Sequence, residues 1–138
     1  SEHRFSGFGK GIYSEEFTGK TYETLISRGL SRLKDGLGVI LDATFSKEAF
    51  VNSAVSAALR AGVGRDMIHI FECSTPDDIV RERIYERLKT KTESDATFEV
   101  YLRQKCSFEK LSEKIAALDT SAPLNASIKA IADKIFDL

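Results

Sequence analysis

An α/β fold, a parallel sheet with helices on both faces, is predicted by three features of this 138-residue sequence. Short apolar runs, two of them β-branched, read as strands. Longer stretches whose apolar residues recur at helical spacing read as helices, and the two kinds of segment alternate. Gly, Pro, Asp and Ser stand at the joints between them. Strands separated by helices are joined by right-handed crossovers, which make the sheet parallel and put helices on both sides of it. The length suits a single domain spanning 1–138 and is short for two cores.

The elements follow in order. Residues 1–13 place Gly7, Gly9 and Gly11 among Phe5, Phe8 and Tyr13, a loop-like composition. Ser14 can cap a first helix carrying Tyr22, Leu25, Ile26, Leu30 and Leu33, which the Asp35-Gly36 pair ends. Val39-Ile40-Leu41, between Gly38 and Asp42, reads as a strand buried on both faces. A second helix runs from Ser46 through Phe50, Val55 and Leu59 to a stop at Gly62, and residues 67–73 form the next strand. Thr75-Pro76-Asp77-Asp78 is a helix start, with Val80, Ile84 and Leu88 as its core stripe. Ser94 or Thr92 can cap a further helix with Phe98, Tyr101, Leu102 and Phe108. Residues 115–118 make a third strand before Asp119. Pro123 opens a last helix whose Leu124, Ile128, Ile131, Ile135 and Leu138 share a face.

Composition narrows the function. Hydrophobic residues at 42%, charged residues at 30% and only 2 prolines describe a globular protein and not a disordered tail. Lys plus Arg number 20 against 21 Asp plus Glu, so no global field draws nucleic acid or an anionic membrane, neither of which is expected as a partner. Any anion site must be local. Cys73 and Cys106 match no metal spacing, and Cys73, closing an apolar run, reads as a buried reduced thiol. No apolar run approaches the roughly 20 residues of a membrane span and no signal segment opens the chain, so the expected location is cytoplasmic.

In parallel α/β sheets ligands gather at the carboxyl ends of the strands. Asp42 follows the most apolar strand, where a carboxylate can hold magnesium through water or simply cap the turn with Thr44. Arg83 and Arg87, four apart on one helix, share a face and can clamp a phosphate; the alternative is surface pairing with Glu82 and Glu86. His69, alternating with Ile68 and Ile70, suits a structural histidine. No Gly-x-Ser-x-Gly elbow supports a hydrolase triad.

Taken in order, residues 11–16, Tyr22, the Gly38-Val39-Ile40-Leu41-Asp42-Ala43-Thr44-Phe45 segment, Phe71-Glu72-Cys73 with Thr75-Pro76, Arg83-Ile84-Tyr85-Glu86-Arg87 and Ser94-Asp95-Ala96 resemble the P-loop kinase-like ATPases related to zeta toxins, gluconate kinases and polynucleotide kinases. Leu118-Asp119-Thr120 and Pro123-Leu124 resemble that family's last strand and closing helix. The resemblance implies that Asp42 is the Walker B acid that orders Mg2+. It implies that Arg83 and Arg87 lie on a lid helix over the phosphates of ATP, and that the terminal phosphate passes to a hydroxyl of an unspecified small-molecule or nucleotide acceptor.

The family's strand, Gly-x-x-x-x-Gly-Lys-Ser/Thr loop and helix find no match: Gly7-Phe8-Gly9-Lys10 has the wrong spacing and no preceding strand. The arginine usual after Asp-Ala-Thr-Phe is replaced by the Phe50-Val51 region. Ser1-Glu2-His3-Arg4 is one residue short of the family's Ser-Asp-x-x-Arg segment, in which the acid acts as a base on the acceptor hydroxyl. The chain is therefore expected to be the C-terminal greater part of such a domain, truncated at its N-terminus. It would be inactive alone, binding ATP and Mg2+ tightly only in the complete protein. A homo-oligomer partner or an upstream domain would cover the exposed sheet edge. The other expectation is a non-catalytic, degenerate relative serving as a binding or oligomerisation module.

Overall fold

The computed structural model describes residues 15–136, so the loop-like opening, the Ser1-Glu2-His3-Arg4 segment, Ser14 and Leu138 lie outside the described residues. The chain divides into two compact units at the Arg65–Asp66 boundary. Its class is α/β, with five helices and a small parallel sheet among the described residues.

In the first unit, α1 (Glu15–Lys34) places Glu15 and Glu16 in its first turn and Arg32 and Lys34 in its last, both favourable to the helix dipole. It ends as the Asp35-Gly36 pair suggests. Gly36 takes φ +79°, its N–H reaches the Leu33 carbonyl at 3.0 Å, and the Leu37 N–H reaches Arg32 at 3.2 Å, a Schellman closure that needs the glycine. The second helix, α2 (Glu48–Arg60), closes in the same way at Gly62, and buries Val51, Val55 and Ala57.

Residues 38–41 run extended between these helices but enter no ladder among the described residues, which corrects the expected strand. The apolar pattern is used differently. Val39 and Leu41 close on α1 at the buried Gly29, whereas Ile40 is 92% exposed. One face is covered by a helix; no second layer among the described residues covers the other. A Cβ on Gly29 would stand 2.9 Å from Leu41 Cδ2 and 3.3 Å from Val39 Cγ1, so glycine sets how closely the segment lies on the helix.

A 3₁₀ turn at Arg65–Met67, where the second unit begins, delays the expected strand, and β1 is only Phe71–Ser74. It pairs in parallel with β2 (Ala116–Asp119), from Phe71 opposite Ala116 to Ser74 opposite Asp119. The crossover between them consists of α3 (Asp77–Leu88) and α4 (Lys91–Cys106), and α5 (Leu124–Phe136) follows β2. Pro76 precedes α3 and its carbonyl accepts from Ile79 and Val80 N–H at 3.1 Å, while Pro123 starts α5 by accepting from Ala126 at 2.9 Å.

Helix α4 begins earlier than Thr92 or Ser94. Thr90 is its extended N-cap residue, and Ser94, buried, turns its hydroxyl back to the Thr90 carbonyl at 2.6 Å; Phe108 falls beyond the helix. Ile84 and Leu118 are the buried apolar residues of this unit. Cys73 is exposed and not buried as expected, because a two-stranded ladder covers neither of its own faces. On α5, Leu124 and Ile128 are likewise exposed.

Filling the Gly29 contact tests the first unit's packing. Gly29→Leu must push aside Leu41 and Val39, and the expected result is a loss of about 1–3 kcal/mol in urea unfolding. An unchanged midpoint would show that residues 39–41 are not held on α1.

Candidate functional site

The turn after residues 39–41 carries Asp42. Its carboxylate is exposed and makes no hydrogen bond or ion pair among the described residues, and the turn-capping bond to Thr44 is not formed. The turn is held from its far end. Phe45 sits at φ +45°, a left-handed conformation unfavourable for a residue with a bulky side chain, and its N–H donates to Tyr22 Oη at 2.7 Å. Tyr22, on α1, is buried, stacked on Phe50 at 4.1 Å between centroids and tilted against Phe45 at 4.9 Å. A buried phenol needs a polar partner, and here it finds a backbone amide.

In the second unit the parallel register puts the carboxyl ends of β1 and β2 level. Thr120 N–H and Thr120 Oγ1 both donate to the Ser74 carbonyl, at 2.9 and 3.1 Å, and the Thr75 and Thr120 hydroxyls are hydrogen-bonded to each other. Asp119 accepts from Ser121 Oγ at 2.5 Å and from Ser121 N–H at 2.9 Å; these bonds, with a smaller contribution from the Arg83 charge, hold its carboxyl below the ordinary range.

Arg83 reaches this turn from α3 and donates from Nη2 to the Thr120 carbonyl at 2.7 Å. Arg87, one helical turn on, is exposed and has no protein partner among the described residues. Neither arginine pairs with Glu82 or Glu86, so the surface-pairing alternative is not what the side chains do.

Helices α3 and α4 form an antiparallel hairpin. Lys89, left-handed at φ +56°, ends α3 with its N–H on the Tyr85 carbonyl at 2.7 Å. At the open end, Asp77 accepts from Tyr101 Oη at 2.9 Å and Lys105 Nζ at 2.8 Å, and midway the Arg81 guanidinium lies 4.9 Å from the Phe98 ring centre. The bond from Lys105, then that from Tyr101, lowers the Asp77 pKa. The Asp77 bond raises that of Lys105, while Tyr101 is raised first by burial and then by Asp77. The open groove along this hairpin, lined by Arg81, Glu82, Tyr85, Glu86, Lys91 and Asp95 among others, mixes both signs of charge and excludes Arg83 and Arg87, which makes it a poor phosphate site.

The protein-family model described as an AAA domain matches residues 4–111, most of the chain. The chain belongs to this family of kinase-like P-loop NTPases. No curated protein and no solved structure is significantly similar to it. Such P-loop proteins bind nucleotide, generally ATP with Mg2+. The match ends before β2, α5 and the turn between them, where Thr120 receives Arg83.

For a P-loop protein the phosphate loop is the first thing to seek. The described residues hold one Gly-Lys-Thr, Gly19-Lys20-Thr21, but it lies inside α1, with Thr21 Oγ1 donating to the Phe17 carbonyl at 3.0 Å and Lys20 3.5 Å from Glu16. Helical backbone keeps its amides for itself, and Ser14 stands where the motif's first glycine belongs. Among the described residues no group of three or more His, Cys, Asp and Glu forms a metal cluster, and no helix is long and apolar enough to cross a membrane.

Sequence reasoning singled out Asp42, Arg83 and Arg87 as candidates but did not foresee the bonds made by Tyr22, by the Thr75 and Thr120 hydroxyls, and by Asp77 with Tyr101 and Lys105. Only Tyr22 carried a signal, as a phenol on the buried stripe of a helix.

The hairpin lock gives a pH dependence of both signs. Asp77, lowered in the fold, contributes above the carboxylate range and loses its contribution as pH falls through it. Lys105 and Tyr101, raised, contribute below their usual ranges and lose it as pH rises through them. The second unit is therefore expected to be most stable between about pH 4 and 10. Denaturant midpoints across pH should show a smaller acid-side decline in Asp77→Asn than in the parent; equal declines would exclude the lock as a source of stability.

Proposed function

We propose that this chain supplies the magnesium-ordering and phosphate-neutralising residues of an ATP-dependent kinase that transfers the terminal phosphoryl group of ATP to a hydroxyl of a small molecule or nucleotide. The observation that carries the reading is that, in a chain of this family, Asp42 and Arg87 are exposed and engaged by no protein group among the described residues, leaving one carboxylate and one guanidinium for a ligand.

The donor chemistry fits. A lone carboxylate suits Mg2+, which keeps several waters and takes one or two acidic oxygens. Asp42 would hold the ion, the Walker B role, and the ion would screen the phosphate oxygens during transfer. Arg87 would neutralise charge on the transferring group, and Arg83, on the same face of α3, would join it by exchanging the Thr120 carbonyl for a phosphate oxygen. Transfer forms a bond from the acceptor oxygen to phosphorus, breaks the bond to the ADP oxygen and releases the hydroxyl proton. A cytoplasmic location, where ATP is supplied, goes with this reading.

The 138 residues contain no Gly-x-x-x-x-Gly-Lys-Ser/Thr, so the amide cradle for the β- and γ-phosphates is not among them. The chain alone is expected to show no ATP turnover. In a protein that carries these residues together with such a loop, Arg87→Ala and Asp42→Asn should each lower kcat by about 10²–10³. Undiminished turnover in both variants would remove the kinase assignment of these residues.

One observation favours a second reading, a non-catalytic binding or oligomerisation module: residues 39–41 are extended, Ile40 is 92% exposed, and no ladder partner is present among the described residues. Under it, Arg87→Ala changes no activity and Ile40→Lys alters self-association in sedimentation.

A further inference from the structure

We propose that Tyr22 is a positioning residue for the Asp42 acid, its phenol oxygen holding the Phe45 amide and thereby fixing the otherwise unfavourable turn that aims the Asp42 carboxylate. This rests on the reading of Asp42 as the magnesium-ordering acid, and it assigns a role to a residue on α1, 20 positions earlier in sequence.

Three observations converge. Phe45 is one of two non-glycine residues with positive φ among the described residues, at +45°, and a bulky residue stays in that conformation only where its surroundings over-determine it. The surroundings here are Tyr22 and Phe50. Tyr22 Oη accepts the Phe45 N–H at 2.7 Å, the Phe45 ring is tilted against the Tyr22 ring at 4.9 Å and the Phe50 ring is stacked on it at 4.1 Å between centroids. Finally, the Asp42 side chain has no bond of its own among the described residues, so the orientation of the turn is set from Phe45, three residues on.

The two parts of the tyrosine act differently. The ring anchors the aromatic stack, which Tyr22→Phe preserves. The hydroxyl stabilises the left-handed amide, which Tyr22→Phe abolishes. A turn without the bond relaxes toward ordinary negative φ at Phe45, and the Asp42 carboxylate swings with it. Supporting groups of this kind commonly change metal affinity or activity by about 10–100-fold when removed, although they touch neither metal nor substrate.

The test is backbone NMR on the 138-residue chain, comparing the parent with Tyr22→Phe and Asp42→Asn. Two measurements report the turn: the Phe45 amide–Hα coupling, which follows φ, and the exchange rate of its amide proton. A third, residue-resolved broadening by Mn2+ as a stand-in for Mg2+, reports the acid.

Tyr22→Phe is expected to stay folded, to move the Phe45 coupling and speed its amide exchange about tenfold or more, and to require about tenfold more Mn2+ for equal broadening at the residue 42–44 amides. A Phe45 coupling and exchange rate unchanged in Tyr22→Phe would overturn the proposal. So would a loosened turn with an unaltered Mn2+ titration, since Tyr22 would then be structural only. If broadening in the parent equals that in Asp42→Asn, the metal reading of Asp42 fails and the positioning role fails with it; the coupling and exchange data still tell that case apart from a failure of the Tyr22 bond.

Discussion

The four-residue parallel register between β1 and β2 is the constraint on which the second unit depends. With Ser74 opposite Asp119, the first residues past both strands, Thr75 and Thr120, meet at one level. Their hydroxyls bond each other, the Ser74 carbonyl accepts twice from Thr120, and the Thr120 carbonyl is left facing outward, where Arg83 takes it. A slip of one residue would reverse the faces and take the threonines apart. Two strands alone are a weak ladder, so much of their fixity comes from these bonds at the carboxyl end. The same bonds point the arginine helix.

The first unit reaches a comparable end without a ladder. Gly29 lets residues 39–41 lie close on α1, and seven residues earlier on that helix Tyr22 grips the end of the turn that follows. Helix α1 is thus a template for both the run and its exit. Asp42 lies between the two holds, exposed, with its carboxylate unpaired among the described residues. That combination, fixed backbone on either side and a free acid in the middle, is what a hard cation with retained water can use.

Much of this was legible in the chain. The helix stops at Gly36 and Gly62 could be read because a left-handed residue after a helix is strongly selective for glycine. The start of α3 was legible for a similar reason, proline being tolerated where no amide bond is needed. The run Val39-Ile40-Leu41 misled because apolarity reports contact with something apolar and does not say whether that is a neighbouring strand or a helix; here Val39 and Leu41 face α1 and Ile40 faces outward. The start of α4 was missed by mistaking Ser94 for a cap. Its hydroxyl does bond backbone, but to the Thr90 carbonyl from inside the first turn. Arg83 and Arg87 could be placed on one face by spacing alone, yet only tertiary structure distinguishes them, since one meets a carbonyl 37 positions later in sequence and the other meets none among the described residues.

The α3–α4 hairpin has a mechanical meaning. It is closed at the turn by Lys89 and Thr90 and at the open end by Asp77 with Tyr101 and Lys105, with Arg81 on Phe98 between. Two helices tied at both ends behave as a stiff lever. Unwinding or sliding either one would break a tie, so a displacement that carries Arg87 carries α4 along with it. Arg83, bonded to the Thr120 carbonyl, ties that lever to the turn after β2.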